Sequence, residues 1–141
     1  MRSKTLTAGI EVGPHPSPAE LAAAAGRFRA VVNLRPDGEE PGQPGSAQME
    51  AEASRYGLLY RHIPVVPGQI DEDQVRRFAA AVSEADGPVL AFCRTGTRAC
   101  QLWALNAACD GDVTDIMRRA AEAGYDLSAL QPRLEAAARG R

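Results

Sequence analysis

The stretch VLAFCRTGTRACQLWAL, Val89–Leu105, decides how this chain is read. Val89-Leu90-Ala91-Phe92 is a short run, apolar on both faces, as expected of a strand in the middle of a sheet. The run ends in Cys93. Four residues, Arg94, Thr95, Gly96 and Thr97, separate it from Arg98, and an apolar segment with helical spacing follows. With a helix beginning near Arg98, the backbone N–H groups of Arg94 through Arg98 curl around a point near the Cys93 sulfur. They face it from the positive end of a helix dipole. Gly96 permits the positive φ that such a curl often needs. Arg94 and Arg98 add positive charge, and each factor favours thiolate over thiol. A cysteine closing a buried strand is usually a small apolar core residue. Strand end, glycine, two arginines and helix start together favour a nucleophile beside an anion site.

Outward from this unit, strands and helices alternate. SPAELAAAAG (Ser17–Gly26) reads as a helix with Ser17 as N-cap, Pro18 at the first position and Glu20 completing a capping box. FRAVVNLR (Phe28–Arg35) is a strand, and Pro36–Gly45 is a loop dense in proline and glycine. SAQMEAEASRYG (Ser46–Gly57) is expected to be a helix capped by Ser46. LLYRHIPV (Leu58–Val65) is a strand. DEDQVRRFAAAVSEADG (Asp71–Gly87) is a helix with Asp71 as N-cap, Gln74 at the capping-box position and a buried stripe of Val75, Phe78, Ala79 and Val82. Two more helices close the chain, DVTDIMRRAAEAG (Asp112–Gly124) and DLSALQPRLEAAARG (Asp126–Gly140), with Pro132 a point of interruption in the second. The order predicts an α/β fold: a central, mostly parallel sheet flanked by helices. Ligands bind beyond the carboxyl ends of such strands, so the loops after Leu34, Val65 and Phe92 should meet there.

The chain has 141 residues, sized for one domain over residues 1–141. A net charge of −2 gives no basic field to recruit nucleic acid or acidic lipid. No apolar stretch approaches membrane-spanning length, and the first residues lack a signal-peptide core. The three cysteines, Cys93, Cys100 and Cys109, lie in one strand-to-helix unit, without zinc spacing or a disulfide framework. A reducing, cytoplasmic setting and no metal or organic cofactor are expected.

CRTGTR resembles the active-site loop of cysteine-dependent phosphatases and of rhodanese-type sulfurtransferases. Together with VVNLRPDGEEPGQP (Val31–Pro44), YRHIPV (Tyr60–Val65), GPVLAFCRTGTRACQLWAL (Gly87–Leu105) and AAEAGYDLSAL (Ala120–Leu130), it resembles the beta-lactamase-hydrolase-like, phosphatase-like family. The resemblance implies a dual-specificity-phosphatase-like fold in a small bacterial protein. It also implies a functional link to a metallo-β-lactamase-fold enzyme that oxidises persulfides. Some members are described as phosphatase-like and others as sulfurtransferases.

Either chemistry uses the Cys93 thiolate in a double displacement, with Arg98 and the loop formed by Arg94, Thr95, Gly96 and Thr97 holding the anion. Three features favour sulfur transfer. The four-residue spacing is that of rhodanese loops, where protein phosphatases of this type have five. Ala99 stands where phosphatase loops carry a hydroxyl. A phosphatase needs a general acid, and Asp71 and Asp73 lie about where one would sit, with Asp37 and Glu39 as candidate substitutes. Asp71 is explained more simply as an N-cap and Asp73 as a first-turn carboxylate, and a persulfide donor needs less protonation. The expectation is a sulfurtransferase that takes sulfane sulfur from thiosulfate or a persulfide, through a Cys93 persulfide, to a thiol acceptor. The alternative is hydrolysis of a phosphoester through a Cys93 phosphocysteine. A non-catalytic anion-binding module is the third reading.

Arg35, Asp37 and Glu39 read equally as pocket residues or as a solvated turn, with family likeness favouring the pocket. Glu40 is a further substitute acid. His62 reads as a hydrogen-bonded structural histidine and His15 as a loop residue. Cys100 and Cys109 read as buried helix residues, with Cys100 a weaker candidate for a resolving thiol.

Overall fold

A computed structural model describes residues 2–140. The chain forms β1 (Lys4–Thr7), β2 (Ile10–Gly13), α1 (Pro18–Ala24), β3 (Ala30–Asn33), α2 (Ser46–Arg55), β4 (Leu59–His62), α3 (Glu72–Ala85), β5 (Val89–Phe92), α4 (Thr97–Ala107), α5 (Val113–Glu122) and α6 (Gln131–Arg139). A 3-10 turn, Ser128–Leu130, precedes α6. The strands make one sheet in the order β1-β2-β5-β3-β4. All pairings are parallel except the antiparallel β1–β2 hairpin. The predicted α/β architecture, with a mostly parallel sheet flanked by helices, is the one observed.

β5 is the central strand, as its two-sided apolar character requires. Val89 pairs with Ile10 on one side and Ala30 on the other. Its side chains alternate between two cores. Val89, Ala91 and then Cys93 join the cluster that contains Phe78 of α3 and Leu102 and Trp103 of α4. Leu90 and Phe92 join the opposite cluster with Leu21 of α1 and Met49 of α2. Period-two alternation therefore places the Cys93 side chain on the face covered by α3 and α4. Burying a side chain such as Phe78 or Phe92 contributes about 1.5–3 kcal/mol.

Several expectations change. The hairpin β1–β2 was not legible, because KTLT and IEVG are four residues each and only partly apolar. The N-cap of α2 is Gly45, not Ser46. Ser46 is the first helical residue, its N–H donates to Asp37 Oδ1 (2.8 Å), and its hydroxyl meets the Tyr60 hydroxyl (2.8 Å). In α3 the buried stripe is Val75, Phe78, Ala81 and Ala85, with Ala79 and Val82 only half-buried. The helix is rotated slightly from the face that its larger residues suggested. Pro132 sits in the first turn of α6 instead of interrupting it, since its missing N–H costs nothing there. α4 begins at Thr97. Cys109 follows α4 and is exposed. No helix among the described residues is long and apolar enough to cross a membrane.

Candidate active site

The parallel strands deliver their following loops to one edge. The Cys93 N–H continues the ladder by donating to Gly13 O (3.2 Å), and Leu34 N–H donates to Phe92 O (2.9 Å). Cys93 is 1% exposed at the base of this edge. Its sulfur accepts the Gly96 N–H at 3.1 Å. Gly96 is the N-cap of α4 at φ 96, where a β-carbon would be strained. A β-carbon there would also collide with the Tyr125 hydroxyl and lie 3.1 Å from Gly13 Cα. Glycine is therefore required for both conformation and space. The sulfur sits at the N-terminus of an eleven-residue helix, where partial positive charge favours an anion.

Arg98, in the first turn of α4, is 5% exposed. Its Nη1 donates to Glu39 Oε2 (2.7 Å) and Val65 O (2.8 Å), and Nη2 donates to Glu39 Oε1 (2.9 Å). Those bonds use three of the five guanidinium N–H groups, leaving the Nε–H and one Nη2–H along the adjacent edge. Burial works against the charge of Arg98. Glu39 and the nearby Cys93 sulfur more than offset it, so its pKa rises. Glu39 in turn accepts from Arg35 Nε (2.9 Å). The Arg98 hydrogen bond, opposed by burial and aided by Arg35, holds the Glu39 carboxyl below the ordinary carboxylate value. Glu39 is thus a carboxylate at neutral pH, a holder of arginines and not a proton donor.

This pair gives a pH-dependent prediction. The folded pKa of Glu39 lies below its ordinary value of 4.5, so the pair contributes fully above that pH and is lost as the pH falls through the folded value. Its side chain is 16% exposed and that of Arg98 is 6% exposed. Glu39→Gln should cost about 1–3 kcal/mol at pH 7, because a buried charged donor loses its partner. Chemical denaturation should show that cost shrinking on acidification below pH 4.5. An equal cost at both pH values would contradict the pairing.

Arg35 is 3% exposed, so it is not part of a solvated turn. Besides Glu39, it lies 3.0 Å from Glu40 through Nη2 and contacts His15 Nδ1 through Nη1 at 3.1 Å. An arginine only donates, so His15 Nδ1 accepts and the ring is neutral. Burial first, then the Arg35 charge, lowers the His15 pKa against the opposing pull of Glu40. The His15 ring packs on Phe92 with centroids 4.8 Å apart. His15 thus braces the loop, a role its position between two prolines did not announce. His62 meets Arg35 O at 2.7 Å, in keeping with a hydrogen-bonded structural residue.

The remaining candidates divide. Arg94 is exposed and lies 3.4 Å from Glu40. Thr95 and Thr97 are exposed at the mouth, with their hydroxyls 3.0 Å apart. Asp37 is drawn away to the start of α2. Asp71 accepts the Gln74 N–H (2.7 Å) as N-cap of α3. Ala99 is fully buried and brings no hydroxyl. Burial, reinforced by the neighbouring Cys93, pushes the Cys100 thiol up to about 12, so it stays protonated at neutral pH.

The family described as beta-lactamase hydrolase-like protein, phosphatase-like domain, matches residues 2–110. The chain belongs to this family. A beta-lactamase hydrolase-like protein of Agrobacterium fabrum is 44% identical to this phosphatase-like domain over 110 residues, covering 77% of the chain and 26% of the relative. The chain thus spans about a quarter of the length of the curated relatives it matches. A solved candidate phosphatase of Neisseria meningitidis is 34% identical, with 97% of this chain and 99% of that one covered and a TM-score of 0.85. The structure of Tk-PTP in its active form, 18% identical with 99% and 97% coverage and a TM-score of 0.78, shares the fold. These likenesses overturn the sulfur-transfer expectation. The phosphatase-like domain aligns with a phosphatase-type protein over nearly its whole length, whereas the contrary reading rested on the loop spacing, Ala99 and the lack of a clear general acid. A loop's residue count does not fix its chemistry when the following helix can start one residue earlier, at Thr97, and carry Arg98 in its first turn.

Proposed function

We propose that this domain is a cysteine-dependent phosphatase acting on phosphomonoesters. The observation that carries the reading is the Cys93 sulfur under the Gly96 N–H, beside a buried Arg98 with two N–H groups left for an anion. The Cys93 thiolate attacks phosphorus, forming the S–P bond as the ester P–O bond breaks. The Arg98 edge and the loop amides hold the phosphoryl oxygens. The leaving oxygen takes a proton from water. A second water then attacks phosphorus, its proton neutralising the hydroxide left by the first, the S–P bond breaks, and orthophosphate leaves with the thiolate restored. The family match and the likeness to the Neisseria protein support this reading.

Glu39 is ionised and Asp71 is committed to capping α3, so neither protonates the leaving group. Rates should therefore follow leaving-group acidity, falling close to tenfold for each unit rise in leaving-group pKa across a series of aryl phosphates. Asp71→Asn keeps a good N-cap and should leave that dependence unchanged. The test is steady-state hydrolysis of the series, with orthophosphate as a competing ligand. No hydrolysis of any member would reject the phosphatase reading. A flat dependence that Asp71→Asn steepens would instead make Asp71 the acid.

A further inference from the structure

Tyr125 lies beyond the strand–loop–helix unit, yet it reaches the same loop. α5 ends in a Schellman turn: Gly124, at φ 98, donates to Ala121 O (3.0 Å) and Tyr125 N–H donates to Ala120 O (2.8 Å). Asp126 then accepts the Ser128 N–H at 2.9 Å, fixing the chain on the other side. Held in this way, the Tyr125 hydroxyl donates to Thr95 O at 3.0 Å. The Thr95 carbonyl and the Gly96 N–H belong to one peptide unit, and that N–H donates to the Cys93 sulfur at 3.1 Å. In a planar trans peptide the C=O and N–H point in opposite directions. One rigid plane is therefore held at both ends.

We propose that Tyr125 is a positioning residue for the Cys93 nucleophile: its hydroxyl holds the Thr95–Gly96 peptide so that the Gly96 N–H faces the sulfur. The inference rests on reading Cys93 as the nucleophile. Glycine crosses between positive and negative φ at little cost, so the peptide on its N-terminal side has a low intrinsic preference for one orientation. Without the tyrosine hydroxyl it can rotate and turn the Thr95 carbonyl dipole toward the thiolate, replacing a stabilising contact with a repulsive one. Among the described residues, Arg98 and Cys100 also interact with the Cys93 sulfur. Burial, with the Cys100 and Cys93 sulfurs adding in the same sense, pushes the Tyr125 pKa up. The hydroxyl therefore keeps its proton, and its role as donor, through the neutral range.

The experiment compares wild type with Tyr125→Phe in the full chain, following alkylation of each cysteine by iodoacetamide with peptide mapping. Exposed Cys109 is the internal reference. Tyr125→Phe should slow Cys93 alkylation about tenfold at pH 6.5 while leaving the Cys109 rate unchanged. The kcat on an aryl phosphate should fall about tenfold with KM little changed, as befits loss of a transition-state interaction. Tyr125→Leu should show the same loss. Wild-type alkylation rates and kcat in Tyr125→Phe would overturn the proposal. A wild-type Cys93 no faster than Cys109 at pH 6.5 would remove the nucleophile reading itself, and this proposal with it.

Discussion

Cys93→Ser should abolish aryl phosphate hydrolysis, with kcat falling by about 10⁴-fold or more, the scale seen when a covalent nucleophile is removed. The loss is chemical, not structural. Oxygen replaces sulfur at a site that is 1% exposed and already accepts an N–H bond, so the Gly96 contact survives with a hydroxyl acceptor. What disappears is the sulfur nucleophile. A serine hydroxyl is far less acidic than a thiol, and among the described residues neither histidine is bonded to this position to take its proton. His15 is neutral but engaged by Arg35, and His62 is bound to the Arg35 carbonyl. Orthophosphate should still bind Cys93→Ser, because Arg98 and the loop amides remain. Loss of phosphate binding along with turnover would point to a collapsed loop instead of a missing nucleophile.

Arg98→Lys should lower kcat/KM by about 10²–10³-fold, comparable to removing a preorganised donor from an oxyanion site. The charge is kept, so a purely electrostatic role would predict a small effect. The geometry requires a fork. Arg98 spans both Glu39 oxygens and the Val65 carbonyl while retaining a second edge with two donors. An ammonium has three donors around one nitrogen and cannot serve the carboxylate, the carbonyl and a bidentate anion together. The same change should cost about 1–3 kcal/mol of stability in chemical denaturation, since an ammonium cannot replace all three bonds the guanidinium makes to Glu39 and the Val65 carbonyl. A lysine variant with near-wild-type kcat/KM would show that the guanidinium's shape is not used.

Much of this was legible in the sequence because the decisive signals were local. VLAF gives a two-sided apolar strand, and the position of Cys93 one residue past it follows directly. Ser17–Glu20 and Asp71–Gln74 are capping boxes in the structure as in the pattern, because capping is decided within a single turn. The partners of Arg98 were not legible. Glu39 is 59 residues away in sequence, and nothing in DGEEP distinguishes the carboxylate that reaches Arg98 from Asp37, which accepts the Ser46 N–H. Tyr125 was hidden for the same reason: only the folded chain brings the end of α5 to Thr95. The reaction was not legible, because the loop spacing, Ala99 and the lack of a clear general acid all pointed to sulfur while the family match points to a phosphatase. Four residues between Cys93 and Arg98 suggested a sulfur-sized ring. The helix starting at Thr97 and the buried clamp on Arg98 make the site part of a larger frame than the loop.

The most direct test of the account is a search for the phosphocysteine. Wild type is mixed with an aryl phosphate, quenched in denaturant within the first turnovers and measured by intact mass and peptide mapping. Wild type should gain one phosphoryl group on Cys93, absent in Cys93→Ser and on Cys100 and Cys109. Turnover of the substrate with no phosphoryl group on Cys93, and undiminished in Cys93→Ser, would contradict it.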